Sequence, residues 1–179
     1  MIRITGGTLR GRRIPVPKDL VRPTSERARQ AFFNIVGERL HEARFLDLFA
    51  GSGIFSFEAV SRGASEAVAV DASRAHSAAI EKAARTLEAP IRTVTAELPS
   101  GIKRLGTQVF DVIYADPPYA FEHYDALLTA IDNGLALAPA AVVAIEHRRR
   151  TDPFTTNPTK LQFSRRAEYG EVWISFFIT

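Results

Sequence analysis

Phe45-Leu-Asp-Leu-Phe-Ala-Gly-Ser-Gly53 is the stretch that decides the fold of this chain. Its first half is apolar and strand-like, its second half is a glycine turn, and the residues from Ile54 to Arg62 read as a helix. A strand that turns on glycines into a helix aims backbone N–H groups and a positive helix end at whatever binds there. Such a corner binds a nucleotide-like cofactor. The fingerprint G-x-G-x-x-G is incomplete, because Ser56 stands at the third glycine position.

Outward from that corner the pattern is strand, helix, strand. Strands are expected at Phe45–Ala50, Ala67–Asp71, Ile91–Ala96, Val109–Asp116 and Ala141–His147, with helices at Ile54–Arg62, Ser73–Leu87, Leu98–Leu105 and Glu122–Leu137. Alternation of this kind makes a parallel sheet, and right-handed crossovers place the carboxyl ends of its strands on one edge. Leu161–Ala167 and Val172–Ile178, joined at Tyr169-Gly170, read as a closing antiparallel hairpin. The expected fold is therefore α/β: a doubly wound, mostly parallel seven-stranded sheet with a C-terminal hairpin.

Asp71 ends the second strand, where an acid accepts hydrogen bonds from ribose hydroxyls. That alone does not separate a nicotinamide dinucleotide from S-adenosylmethionine. Asp47 adds a carboxylate beside the loop, which would repel a pyrophosphate and attract a cationic methionine moiety. Glu97, after the third strand, reads either as a contact to the adenine amine or as a helix cap. The candidate cofactor residues are Asp47, Phe49, Gly51, Ser52, Gly53, Asp71, Ala72, Glu97 and Asp116, the last at the end of the strand that neighbours the first in such sheets.

Val109 to Tyr119, V-F-D-V-I-Y-A-D-P-P-Y, runs a buried strand into a rigid polar corner. Two prolines fix φ, remove two N–H donors and hold Asp116 extended. This is either a plain turn or a catalytic corner. In the second reading the Asp116 carboxylate and the Pro117 carbonyl hold the two hydrogens of an amine on a planar base, and Tyr119 stacks on the ring. Positioning, and stabilisation of charge developing on nitrogen, then supply the rate. Asp116, Pro117, Pro118 and Tyr119 are the candidate catalytic residues.

The 179 residues fit one domain, and 46% apolar with 24% charged residues is ordinary for a globular protein. With no signal peptide and no membrane-length apolar run, a cytoplasmic location is expected. There are no cysteines, and four scattered histidines give no reason to expect a metal. Charge is unevenly placed. Residues 1–29 net +6 through Arg3, Arg10, Arg12, Arg13, Lys18, Arg22, Arg27 and Arg29 against Asp19 and Glu26, so the rest nets −3 of a total of +3.

Such an asymmetry suits a basic arm for a polyanion, or else a solvated terminus. Residues 1–22 are expected to form that arm, a hairpin-like appendage and not a core element, with 23–179 as the domain proper. Arg10, Arg12, Arg13, Arg22 and Thr24 are the candidate contacts to that polyanion, with Arg148 to Arg150 as the alternative surface. A helix should start at a Thr24 or Ser25 cap, bury Ala28, Ala31, Phe32, Ile35, Val36 and Leu40, and leave Arg27 and Arg29 on its outer side.

With these residues in hand, the chain resembles the RsmD family, bacterial 16S ribosomal RNA guanine-N2 methyltransferases. The likeness covers nearly the whole chain. It rests on Arg3-Ile-Thr-Gly-Gly7, Gly11-Arg12, Arg22-Pro-Thr24, Ala31-Phe-Phe-Asn-Ile35, Leu46 to Gly53, Glu58-Ala59, Ser61-Arg-Gly-Ala64 and Asp116-Pro-Pro-Tyr119. It implies a Rossmann-like class I methyltransferase with S-adenosylmethionine as cofactor, Asp116 to Tyr119 at the base, and ribosomal RNA or an assembling small subunit as partner. Ile54, Phe55, Ser56 and Phe57 depart from the usual small residues, and Glu97 stands where Asp is common.

The alternatives are an N6-adenine DNA or glutamine-N5 protein methyltransferase, and a non-catalytic RNA-binding assembly factor. The basic arm argues against a protein substrate, and the lack of a target-recognition domain against sequence-specific DNA modification. An intact glycine loop with Asp71 and Asp116 argues against loss of catalysis. Nothing resembles a hydride-transfer site, and a monomer is the default expectation.

Overall fold

Glycine turns fold the first residues back on themselves, so that β1 (Ile2–Arg3) and β2 (Arg13–Ile14) pair antiparallel. The computed structural model describes residues 1–17, 26–149 and 153–179. Lys18, Arg22, Thr24, Arg150 and the expected cap at Thr24 or Ser25 lie outside them. Then follow α1 (Glu26–Val36), a 3-10 turn (Gly37–Leu40), β3 (Arg44–Leu48), α2 (Ile54–Ser61), β4 (Glu66–Asp71) and α3 (Arg74–Leu87). After these come β5 (Ile91–Thr95), a 3-10 helix (Ser100–Leu105), β6 (Val109–Ala115), α4 (Tyr124–Gly134), β7 (Ala136–Arg148), β8 (Gln162–Tyr169) and β9 (Val172–Ile178).

The seven-stranded sheet has the order β5-β4-β3-β6-β7-β9-β8, its first five strands parallel and β9 antiparallel to β7 and β8. The expected doubly wound sheet with its C-terminal hairpin is present. Strand order reverses between β3 and β6, so the crevice at the topological switch lies where the glycine loop and Asp116 both emerge. Alternating residues feed two cores. Phe45, Ala67, Ala69, Val112, Tyr114, Val142 and Ala144 pack with α1, α2 and α3, while Leu46, Leu48, Val68, Ile113, Val143 and Ile145 pack with the 3-10 helix and α4. Burial on both faces explains the unbroken apolar runs.

Four expectations need correction. The helix expected at Leu98–Leu105 is only a 3-10 helix from Ser100, since the segment opens on Pro99 and holds Gly101, whose added Cβ would fall 2.6 Å from Ala96 Cβ. Helix Glu122–Leu137 is shorter, Tyr124–Gly134. Ala136 and Leu137 instead pair with Val109 and Phe110, so β7 starts well before Ala141. A helix running on to Leu40 is broken at Gly37, which takes φ +50°.

The fourth concerns the arm and Arg29. Ile4 and Ile14 are completely or almost completely buried in the first core, so the arm is part of the body. Arg29 is equally buried, and pairs with Glu58 at 3.1 Å. A charge can face inward when its partner is built in. Glu58 also accepts from the Thr5 N–H and hydroxyl at 2.7 Å and from Arg62 at 3.0 Å. Ser61 closes the dock by accepting the Leu9 N–H and donating to the Gly6 carbonyl.

Candidate functional site

The glycine loop is bent by residues in the left-handed region: Phe49 at φ +63°, Gly51 at +54° and Gly53 at +75°. Gly53 is also needed for space, since a Cβ there would meet Ile80 at 2.9 Å. Phe49 has no such freedom, and a phenylalanine held there stores strain of the kind found at functional corners. Its ring packs edge-on against Phe121 at 5.3 Å, which ties the glycine loop to the segment after the two prolines. Phe121 in turn donates its N–H to the Pro118 carbonyl at 2.8 Å.

The loop's N–H groups are largely satisfied from within. Gly51 donates to Asp71 at 2.8 Å, Gly53 to the Ala50 carbonyl at 2.7 Å, and Ser56, in the first turn of α2, to Asp47 at 3.1 Å. The Ser56 hydroxyl donates to the same Asp47 oxygen at 2.8 Å. The start of α2 is therefore already facing a carboxylate. A pyrophosphate would compete with Asp47 for that helix end and be repelled by it, whereas a cation is welcomed. The departure at Ser56 thus has a use, and the open helix end expected from the glycine pattern is replaced by a closed one.

Asp47 is 2% exposed, and burial is the main reason its carboxyl is pushed up to about 7. Hydrogen bonds from Ser56 pull it down, and the negative charges of Asp116 and Asp71 push it up. The register explains the crowding. Asp47 pairs with Ala69 and Tyr114, so Asp47, Asp71 and Asp116 lie on one face of the sheet at its carboxyl edge. Three acids on three neighbouring strands make a strongly negative corner, and such a donor set fits a ligand with positive charge and ribose hydroxyls.

Asp71 does more than wait for a ribose. Besides the Gly51 N–H it accepts from the Ser73 N–H at 2.8 Å, and His76 Nδ1 lies 3.1 Å from it. Ser73 caps α3 by accepting from the His76 N–H. A carboxylate offers about four lone-pair positions, so Asp71 can hold the loop and still accept from a ligand. Ala72 beside it is exposed; Ser52 is buried in the loop; Glu97, exposed after β5, makes its local contact through its carbonyl, which accepts the Gly101 N–H at 2.7 Å.

Asp116 follows β6 directly, its N–H donating to the Leu48 carbonyl at 3.3 Å, so the two strand ends are stitched together. Pro117 is buried and Pro118 exposed, a rigid step from core to surface. Tyr119 is 52% exposed, and the Arg148 guanidinium lies 4.8 Å from its ring centroid. Arg148 gave no signal as a neighbour of Tyr119 in the sequence, because the pairing needs β7 to end beside β6. The same is true of Glu146, which that pairing brings to Tyr114.

Not every candidate gathers here. The turn carrying Arg10, Arg12 and Arg13 is docked on Ser61 at the far end of α2: Thr8 donates to the Ser61 carbonyl at 2.7 Å. The three arginines are exposed, and α2, with 8 residues or about 12 Å of helix, separates that dock from the glycine loop. A groove of about 630 Å³ between the 3-10 helix and α4, lined by Pro99, Ile102, Ala126 and Ala130, includes none of Asp47, Asp71 and Asp116.

Comparison with known proteins agrees with this geometry. Residues 2–178 match the family described as Conserved hypothetical protein 95. The chain is 35% identical over 173 residues to Ribosomal RNA small subunit methyltransferase D of Escherichia coli (strain K12), covering 96% of this chain and 86% of that one. The Haemophilus influenzae protein of the same name is 29% identical over 150 residues, 81% of this chain and 78% of that one. Among solved structures, Escherichia coli yhhF, described as a methyltransferase, superposes with a TM-score of 0.85 at 30% identity, over 99% of this chain and 97% of that one.

Proposed function

Because the chain belongs to the Conserved hypothetical protein 95 family, that of the small subunit ribosomal RNA methyltransferases D, we propose that it methylates the exocyclic N2 amine of a guanine in 16S ribosomal RNA, using S-adenosylmethionine. The observation that carries this reading is the acid-lined crevice in which Asp47 closes the helix end, favouring a cationic cofactor over a dinucleotide. S-adenosylmethionine supplies an electrophilic methyl group on a sulfonium. Asp47, Phe49, Gly51, Ser52, Gly53, Asp71 and Ala72 would hold it, with Glu97 near the adenine.

The protein's own part is to bind and aim the base. Asp116 accepts one amine hydrogen and the Pro117 carbonyl the other, which turns the nitrogen lone pair out of the ring plane and towards the crevice. As positive charge grows on nitrogen, the Asp116 carboxylate stabilises it in a site partly closed to water. Tyr119 supports the ring. Arg10, Arg12 and Arg13 hold RNA backbone away from the reacting atoms, and Arg22 and Thr24 are further RNA contacts. The substrate form this suits is an assembling small subunit in the cytoplasm, met by a monomer; among the described residues no helix is long and apolar enough to cross a membrane.

The test is transfer of labelled methyl from S-adenosylmethionine to small subunits, and to naked 16S RNA, taken from a strain deleted for this gene. N2-methylguanosine at a single position is the expected product, and none from either substrate contradicts the proposal. Asp116→Ala should cut kcat by about a hundredfold or more, as for loss of one preorganised group.

A further inference from the structure

The crevice contains a fourth acid that the methyl-transfer reading does not use. β6 and β7 run parallel with Tyr114 opposite Ala144 and Ala115 opposite Ile145, so the next pair outward is Asp116 and Glu146. Residues in register share a face, and alternate residues return to it. Asp116 and Glu146 therefore stand side by side on the acidic face. Glu146 is 8% exposed, and the Tyr114 hydroxyl donates to its Oε2 at 2.6 Å. Tyr114 is itself clamped: Phe55 stacks on its ring at 3.8 Å and Phe32 lies at 4.8 Å.

We propose that Glu146 is a positioning residue kept as the neutral carboxylic acid, oriented by the Tyr114 hydroxyl, so that Asp116 alone carries the negative charge at the target amine. This rests on the reading of Asp116 as the amine's acceptor. Two carboxylates side by side, one of them buried, cannot both ionise cheaply. The more buried one keeps the proton. Burial, followed by the charge of Asp116, pushes Glu146 up to about 8, against the downward pull of the Tyr114 hydroxyl. Tyr114 stays protonated, burial holding it well above its usual range.

The other groups around Glu146 are consistent with this. Asp116, just after β6, acts on Glu146 directly, while Asp47 on β3 adds negative charge at its partner Tyr114. Tyr124 of α4, its hydroxyl raised first by burial and then by Asp116, feels Glu146 too. Arg148, two residues along β7, has its guanidinium over the Tyr119 ring. From β9 the residue opposite Glu146 is Ile174, and from α1 the side chain against Tyr114 is Phe32; neither is charged.

Glu146→Gln preserves the neutral shape, so at pH 7 its kcat should stay within about twofold of the parent. Above pH 8 the parent should lose activity as Glu146 ionises beside Asp116, and Glu146→Gln should keep it. Tyr114→Phe removes the group that pulls the carboxyl down, and should move the parent's alkaline limb to higher pH while leaving the Glu146→Gln profile unshifted. A tenfold loss at pH 7 in a Glu146→Gln protein that melts normally, or identical alkaline limbs in parent and variant, would overturn the proposal.

A second measurement needs no substrate. Carboxyl carbon NMR of the free protein should show Glu146 protonated at pH 7, and Asp116→Asn should shift its titration to lower pH. An ionised Glu146 at pH 7, or a titration indifferent to Asp116→Asn, overturns the assignment. A fully active Asp116→Asn would instead remove the amine-acceptor reading, and the two failures are thereby distinct.

Discussion

Asp47 sits inside a strand, almost without solvent, where an ionised carboxylate costs several kcal/mol unless something is built to hold it. Ser56 supplies two donors, but the carboxyl still titrates at about 7. A cation bound alongside favours the charged form, so S-adenosylmethionine affinity should rise as pH goes up through about 7, with proton uptake by buffer seen in calorimetry; Asp47→Asn should abolish that rise. The sign for stability is opposite. The folded state holds the proton more tightly than the unfolded chain, so the parent's stability relative to Asp47→Asn should fall as pH rises from about 4 to about 7, by a few kcal/mol. Urea midpoints of both proteins across that window check it, and parallel curves would contradict it. Asp71 is a different case, being a loop anchor as well as the proposed acceptor for the cofactor ribose. Asp71→Ala should weaken S-adenosylmethionine by about 1.5 to 3 kcal/mol and destabilise the fold by about 1 to 3, because the N–H groups of Gly51 and Ser73 lose their acceptor. Unchanged calorimetric affinity would remove Asp71 from the cofactor. The placement of Asp47 and Asp71 was legible in the sequence because a strand end and a glycine turn fix where their carboxylates go. Glu146 and Arg148 were not, since their neighbours are set by a parallel pairing between strands far apart in the chain.

The elements that joined the arm to the body were read from the sequence as motifs without a mechanism, and the structure supplies one. Arg3-Ile-Thr-Gly-Gly7 and Glu58-Ala59 with Ser61-Arg-Gly-Ala64 are the two halves of one joint: Thr5, Arg29 and Arg62 converge on Glu58, and the chain at Gly7 lies so close to α2 that an added Cβ would fall 1.6 Å from the Ser61 carbonyl oxygen. Glu58→Ala strands the buried Arg29 guanidinium and should cost about 3 to 5 kcal/mol, whereas Gly7→Ala should free the arm and leave the sheet intact. Urea denaturation reads the first, and amide exchange at Thr8 and Leu9 the second; a Glu58→Ala protein as stable as the parent would mean that Arg29 finds another partner. The alternation of strands and helices was legible because each strand is covered on both faces and each helix has its own apolar stripe. Arg29 was misplaced because helical spacing puts it beside buried Ala28, and spacing alone does not reveal an acid waiting on another helix. The start of β7 was missed because Leu135 to Leu137 continue α4's apolar pattern, and only their pairing with β6 makes them strand.

At the scale of the whole molecule, two groups of basic residues bear on the proposed RNA surface, one beside Tyr119 and one on the N-terminal turn. Arg148 stands over Tyr119 at the proposed base site, while Arg10, Arg12 and Arg13 project from the docked turn at the far end of α2. In the proposed complex a guanine held beside Asp116 would leave its flanking backbone to run across the body, where phosphates could meet the turn docked on Ser61. Because Ile4 and Ile14 anchor the arm, its arginines are presented from a fixed platform, and the contribution proposed for them is electrostatic and separate from the reacting atoms. Each phosphate contact releases condensed counterions and adds roughly 0.7 to 0.9 to the slope of log K against log salt. Changing all three arginines to alanine should therefore lower that slope by about two units, weaken RNA binding at moderate salt, and leave kcat at saturating RNA and the affinity for S-adenosylmethionine as they were. Stability should barely move, since all three side chains are exposed. Arg148→Ala should behave in the opposite way, lowering kcat at saturating RNA through the loss of the contact that steadies Tyr119, with a change in salt slope of about one unit or less. Filter binding across a salt series, with single-turnover methylation alongside it, separates the two. A triple variant with the parent's slope and affinity would make the arm a solvated platform and move the RNA surface to the edge around Arg148 and Arg149.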